Sequence, residues 1–233
     1  MSVTIILLLA TGFSSAQNTD YCGFGRFMGG VGSEGLHYLQ GVQAVPREAI
    51  RTRNLKWELP VAIATGLLIW KGDTAEIQHV ESTSLEQTAD RWSNIGIGME
   101  LAIPTLTFAV GCKHHNSRLS SAGFKTLDAM GSALAADAVL KVAFNRQYPY
   151  SPHPNGEFWE GGKSFPSGHS AVSFAFASAL AHEFPQKRWL KWSVYALATG
   201  VSLARLPAKK HFPSDVLVGG IVGYVTGAYI ADH

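Results

Sequence analysis

The sequence predicts an all-α protein, a helical bundle of about six helices. Three observations lead there. Apolar stretches of helical length recur from residue 58 onward, they are rich in Ala, Leu and Gly with little strict alternation, and the breaks between them carry Pro, Gly, Asn and Ser. Period-two alternation would mark strands, and its absence leaves helices joined by the short connections that bundles favour. With 233 residues the chain has room for one domain with a real core.

Taken in order, residues 1–16 read as a signal peptide. Val3 to Ala10 is an apolar run, and Ser14, Ser15 and Ala16 supply the small residues a signal peptidase reads. No Lys or Arg precedes the run, so a short N-terminal membrane anchor is the alternative. Residues 17–57 form a polar, Gly-rich leader; it lacks the Gly-Lys-Ser/Thr ending of a phosphate-binding P-loop. Residues 58–233 form the bundle domain, with helices expected at Leu59–Trp70, Ile95–Cys112, Leu127–Phe144, Ser167–Glu183, Trp189–Arg205 and Pro213–Ala231. Glu100 and Pro104 interrupt the second stretch, and Asp128, Asp137 and Lys141 punctuate the third. The two cysteines, Cys22 and Cys112, fit no metal site. Export would permit a disulfide between them, and two unpaired thiols fit the sequence equally well.

Composition excludes some partners. The net charge is +2 and no long Lys/Arg run tracks a phosphate backbone, which argues against nucleic acid. Most apolar stretches fall short of the ~20 clean residues that a membrane-spanning helix needs. Yet basic breaks at 47–56, 113–125 and 187–191 alternate with an acidic one holding Asp73, Glu76, Glu81, Glu86 and Asp90, as in a six-span protein. The expectation is a bundle exported to the cell envelope and associated with the membrane, its active site on the outer side.

Three blocks stand out in the C-terminal half. The first runs from Lys141 through Arg146 and Tyr148 to Pro149; the second is Ser164-Phe-Pro166-Ser167-Gly168-His169; the third holds Arg205, His211 and Asp215. Ser167 is a plausible N-cap, and free N–H groups at a helix start make an anion site. His211 and Asp215, four apart, share a helix face, where the acid can orient the imidazole and leave one nitrogen free to attack. Two cations, Lys141 and Arg205, beside a helix start and two histidines suit an oxyanion such as phosphate.

In this order the blocks resemble the signature of the phosphatidic-acid-phosphatase type 2 / haloperoxidase superfamily, K-x6-R-P, P-S-G-H and S-R-x5-H-x3-D. Pro166-Ser167-Gly168-His169 matches the second in full, and Arg205, His211 and Asp215 match the third in spacing, with Ala204 where the family has Ser. In the first, Lys141 and Pro149 are in register, but Tyr148 stands where the family has Arg, with Arg146 two residues earlier.

The resemblance implies a phosphatase that needs no metal or other cofactor. His211 would attack phosphorus with Asp215 orienting it, and His169 would protonate the leaving alkoxide before water cleaves the phosphohistidine. Lys141, Arg205, Ser167 and Gly168 would bind the phosphate, with Tyr148 donating a single hydrogen bond; for the charge missing there, either Arg146 swings in, which is the favoured reading, or the enzyme is slow, or its substrate differs. The substrate would be a lipid phosphate, an isoprenyl diphosphate or a small acid-phosphatase ester. A vanadate-loaded haloperoxidase and a degenerate phosphate-binding helical protein are the rival readings. Tyr150, Phe158 and Trp159, between the first two blocks, are candidates either to meet the leaving group or to pack the loop.

Overall fold

The computed structural model describes Cys22, Ile63 and residues 65–73, 83–151 and 156–232. The signal peptide expected at 1–16 and, Cys22 apart, the Gly-rich leader at 17–57 lie outside the described residues. Five α-helices follow a π-helical turn at Leu68–Gly72: α1 Thr83–Lys113, α2 Ser117–Phe144, α3 Gly168–Glu183, α4 Arg188–Ala204 and α5 Pro213–Asp232. Among the described residues there is no strand, and the bundle is all-α as its apolar pattern requires.

Two helices begin earlier than hydropathy suggests. The polar stretch 83–94 is the first three turns of α1 rather than a break. Over residues 84–94 only Ala89 and Ser93 are buried, so one narrow stripe docks and most of the rest faces solvent. Helix α2 starts at Ser117, capped by the Asn116 side chain, which accepts from the Leu119 N–H at 3.1 Å. Its first turns bury Ser120, Ser121, Ala122 and Gly123 against α1. A Cβ on Gly123 would lie 2.4 Å from the Phe108 nitrogen, so α1 and α2 meet backbone to backbone. Small residues that look polar in sequence are packing residues here.

Helix α3 is the centre of the bundle. Ala171, Ala175, Phe176, Ala177 and Ala179 are fully buried, with α2, α4 and α5 packed around them. Helix α5 lies parallel to α3 along a ladder of small residues. Cβ atoms on Gly219, Gly223 and Gly227 would stand 2.4, 2.0 and 2.5 Å from the carbonyl oxygens of Ser167, Ala171 and Ala175. This close approach sets the two helix starts side by side, where the Ser167 N–H donates to the Asp215 carbonyl at 3.0 Å. The C-terminal end of α2 arrives at the same place.

Cys22 and Cys112 are joined in a disulfide with Cα atoms 5.3 Å apart, which ties the N-terminal region to the last turn of α1. Two helices are long and apolar enough to cross a membrane, α1 over Ser84–Lys113 and α5 over Pro213–Ala231. They differ in setting: α5 is mostly enclosed by the bundle, whereas α1 exposes Ile95, Met99, Leu101, Leu106 and Val110.

Candidate active site

Four segments converge at the end of the bundle where α3 and α5 begin. Lys141, in the last turn of α2, bonds Asp137 Oδ1 at 2.8 Å and donates a second short bond to the Pro166 carbonyl. Its ammonium is thereby fixed at the entrance of α3, with a third proton available to a ligand. Ser167 caps α3, its hydroxyl accepting from the Ser170 N–H at 3.5 Å. Gly168 follows without a side chain for a steric reason: a Cβ there would stand 2.9 Å from Asp137 Oδ2.

Arg205 caps the C-terminal end of α4 and reaches α1. Its Nη1 donates to Asp90 Oδ1 at 2.9 Å and to Ser93 Oγ at 2.6 Å. Its Nε is buried with no hydrogen-bond partner among the described residues. That N–H is open to a water or to a ligand oxygen. His169 Nε2 lies 3.0 Å from Asn94 Oδ1, again on α1. Burial foremost, then the Arg205 cation, the neighbouring His211 and the Lys141 cation, with Asp90 opposing, pushes the His169 pKa down to about 4.

His211 sits in the turn between α4 and α5, 7% exposed. Its Nδ1 lies 2.7 Å from the Ser164 carbonyl oxygen. A carbonyl only accepts, so Nδ1 carries the proton and Nε2 keeps its lone pair. Burial holds the imidazole below its ordinary pKa, with Lys141 and Arg205 adding to the effect and Asp215 opposing it. The group is a neutral base with a fixed tautomer.

Asp215 acts at one remove from that tautomer, which corrects the direct orienting bond expected from the four-residue spacing. Its Oδ2 lies 3.7 Å from His211 Nδ1, too far for a hydrogen bond. The same oxygen accepts from Ser164 Oγ at 2.7 Å and from the Phe212 N–H at 2.9 Å. Asp215 therefore secures the residue whose carbonyl holds the histidine.

Arg146 does not line the anion site, contrary to the role in phosphate binding read from the sequence. It is 1% exposed, and its guanidinium donates to Asp215 Oδ1 at 2.5 Å, Asp73 Oδ2 at 2.7 Å, Ser214 Oγ at 2.7 Å and the Gly156 carbonyl at 2.9 Å. The rings of Phe158 and Phe212 flank it, their centroids 4.7 and 4.3 Å from Cζ. Two carboxylates and a closed aromatic cage draw it inward. Tyr148 is half-buried and stacks on Tyr150, and burial first, then Tyr150, Asp137 and Asp215, raises its pKa. Its hydroxyl stays a neutral donor.

The structure thus groups Lys141, Ser167, Gly168, His169, Arg205 and His211 around one end of the bundle, with Asp215 behind them and Arg146 turned away. Sequence reasoning missed Asp73, Asp90, Ser93 and Asn94 as site residues, and it placed Ser164 in the second block without a role for its carbonyl. Two of these are acids of what looked like a solvated break, and no spacing marks them.

A helix start, two cations held by Asp137 and Asp90, and two imidazoles form a site suited to an oxyanion such as a transferring phosphoryl group. Residues 123–232 match the model of the PAP2 superfamily. Among curated proteins it is 33% identical over 103 residues to a lipid A 1-phosphatase of Porphyromonas gingivalis, covering 43% of this chain and 21% of that protein. It is 41% identical over 63 residues to a lipid A 4'-phosphatase of Bacteroides thetaiotaomicron, covering 27% of this chain and 28% of the relative. A lipid A 1-phosphatase of Rhizobium johnstonii is 35% identical over 88 residues, 35% of each chain. The matches thus span about a fifth to a third of these relatives' length. No solved structure matches the chain.

Proposed function

We propose that this protein is a phosphomonoesterase of the cell envelope that hydrolyses a lipid phosphate through a phosphohistidine on His211. The observation that carries the reading is the bond between His211 Nδ1 and the Ser164 carbonyl, which leaves Nε2 as the nucleophile. Nε2 attacks phosphorus as the bond to the leaving oxygen breaks, and protonated His169 gives that oxygen its proton. Neutral His169 then takes a proton from water, whose oxygen displaces His211 and releases inorganic phosphate. Lys141, the Arg205 Nε and the start of α3 carry the negative charge of the transferring group. Burial is the main cause of the pKa of about 4 at His169, and a bound phosphate dianion would offset the smaller contribution of Arg205 and Lys141, favouring the imidazolium that donates the proton.

Two things support a lipid substrate. The relatives are named as phosphatases of lipid A, and the outer face of α1 is an apolar surface suited to acyl chains. The disulfide fits an exported protein.

The test is to mix enzyme with radiolabelled lipid phosphate, quench in base and look for an acid-labile label on the protein. The wild type should show it, His211→Ala should show neither label nor phosphate release, and His169→Ala should accumulate it on aryl phosphates. Label retained in His211→Ala would overturn the nucleophile, and no release from any lipid phosphate would overturn the substrate class.

A further inference from the structure

At position 148 the chain gives up the guanidinium of the family pattern, and Arg146, enclosed by Asp73, Asp215 and two phenyl rings, does not restore it. Another cation stands nearby. Lys210, next to His211 in the chain, lies with Nζ 5.4 Å from the centroid of the Tyr150 ring. Tyr150 in turn stacks on Tyr148, centroids 4.9 Å apart and planes 15° from parallel.

The geometry of this stack differs from that of the core beside it. Phe144, Phe158 and Phe165 meet edge to face at 67–75°, the arrangement of packed aromatic residues. Phe158 is thus a core residue, and Trp159 is tied back by its indole N–H to the Ala143 carbonyl. The tyrosine pair runs instead from half-buried Tyr148, within electrostatic reach of Asp137 and Asp215, to Tyr150, which is 56% exposed. Lys209 adopts a left-handed conformation, φ 53°, costly for a residue with a side chain, and this bends the loop just before Lys210.

We propose that Lys210, braced by the Tyr148–Tyr150 stack, is a second anion subsite at the rim of the pocket, binding a further phosphate on the leaving-group side of the substrate. It rests on the lipid phosphatase reading and narrows it: the preferred substrate is a lipid carrying two phosphates, one cleaved and one held. The rim placement favours this over a role at the reacting phosphate. The ammonium meets the exposed ring of the pair, Tyr150, rather than half-buried Tyr148, so it is placed for a group further out on the same headgroup. Names of relatives that act at the 1- and 4'-positions of one lipid describe such a substrate.

The experiment compares one lipid headgroup bearing one or two phosphates. Wild type should show a lower KM for the bisphosphate, by about three- to tenfold, a contribution typical of an exposed charge pair with aromatic support. Lys210→Met should erase that preference, with the loss in KM rather than kcat; Lys210→Arg should keep it, and Tyr150→Ala should weaken it. A preference that survives Lys210→Met, or an equal loss on both substrates, overturns the subsite. If wild type hydrolyses neither lipid, the phosphatase reading fails. The subsite is then judged by the dissociation constants of the two headgroups, which must differ in wild type and converge in Lys210→Met.

Discussion

Arg146 and Asp215 form a fully enclosed ion pair, Nη1 to Oδ1 at 2.5 Å, with Asp73 completing it from the N-terminal segment. Breaking a buried pair from one side strands the remaining charge, at a cost of about 3–5 kcal/mol. Arg146→Ala should therefore unfold at markedly lower denaturant concentration, and Arg146→Lys should recover little, since an ammonium cannot span Asp73, Asp215 and Ser214 at once. A variant of normal stability with weakened phosphate affinity would return Arg146 to the pocket.

The carbonyl of Ser164 holds the tautomer of His211, so Asp215 matters less to the imidazole than its spacing suggests. In a triad where the acid itself accepts from the histidine, acid to amide costs about 10⁴ in kcat through the wrong tautomer. Asp215→Asn should cost well under that here, about 10², alongside a clear loss of stability because Arg146 keeps only Asp73 as a charged partner. Ser164→Ala keeps the carbonyl and should lose still less activity. A drop of 10⁴ or more in Asp215→Asn, at unchanged stability, would mean that Asp215 contacts His211 directly during turnover.

The sequence made the helices visible where they are apolar and hid them where they pack through small or polar residues. The ends of α3, α4 and α5 fell within a residue or two of the expected stretches, because their apolar runs stop at Pro, Gly or charge. Residues 83–94 looked like a loop because only a stripe of that helix touches the bundle. The anion site was legible because its residues cluster in three short blocks. Their supports were not, since Asp73, Asp90 and Asn94 reach Arg146, Arg205 and His169 across 73 to 115 positions. Arg146 was misjudged for the same reason: its neighbours in space, Asp73 and Phe212, are remote in sequence.

The contact between α3 and α5 is also what places Ser167 beside Asp215. Gly223→Ala would put a Cβ 2.0 Å from the Ala171 carbonyl, with backbone on both sides, so the helices must part. The expected loss is about 1–3 kcal/mol, the range for overpacking, with reduced activity. Gly131, inside α2 with open space at its Cβ, is the control. Gly131→Ala should stabilise by about 0.5–1 kcal/mol, as Gly→Ala does within a helix. Thermal melts of the two variants give opposite signs if the packing is as described.

His169 supplies a pH dependence whose sign is fixed by its depressed pKa of about 4 against an ordinary value of 6.5. Between those values the unfolded chain takes up a proton that the folded one refuses. Its contribution to stability is thus complete above about pH 6.5 and lost as pH falls toward 4. Anion binding has the opposite trend, because a dianion favours the imidazolium. Sulfate, fully ionised throughout, should bind more tightly as pH falls through this window, and His169→Gln should flatten both curves. Titration calorimetry that finds no proton uptake with sulfate at pH 5 would exclude His169 as a group that faces the anion.

Tyr148 allows the sharpest contrast. The expectation that Arg146 covers for it required a guanidinium free to swing, and four hydrogen bonds and two rings hold Arg146 elsewhere. Tyr148→Arg should then add a donor that the pocket lacks and raise kcat, with a ceiling of about 10²–10³, the value of one transition-state donor. The same change breaks the stack with Tyr150 and frees Lys210, so the preference for a second phosphate should fall while the rate on a monophosphate rises. These two effects separate the alternatives. A faster enzyme with unchanged preference would show that the stack does not brace Lys210. An enzyme no faster on any substrate would show that the phenol already does the work of the missing arginine. Arg146→Ala in the Tyr148→Arg background completes the cycle, and its energetic effect should add to that of Tyr148→Arg, as expected of residues with separate roles.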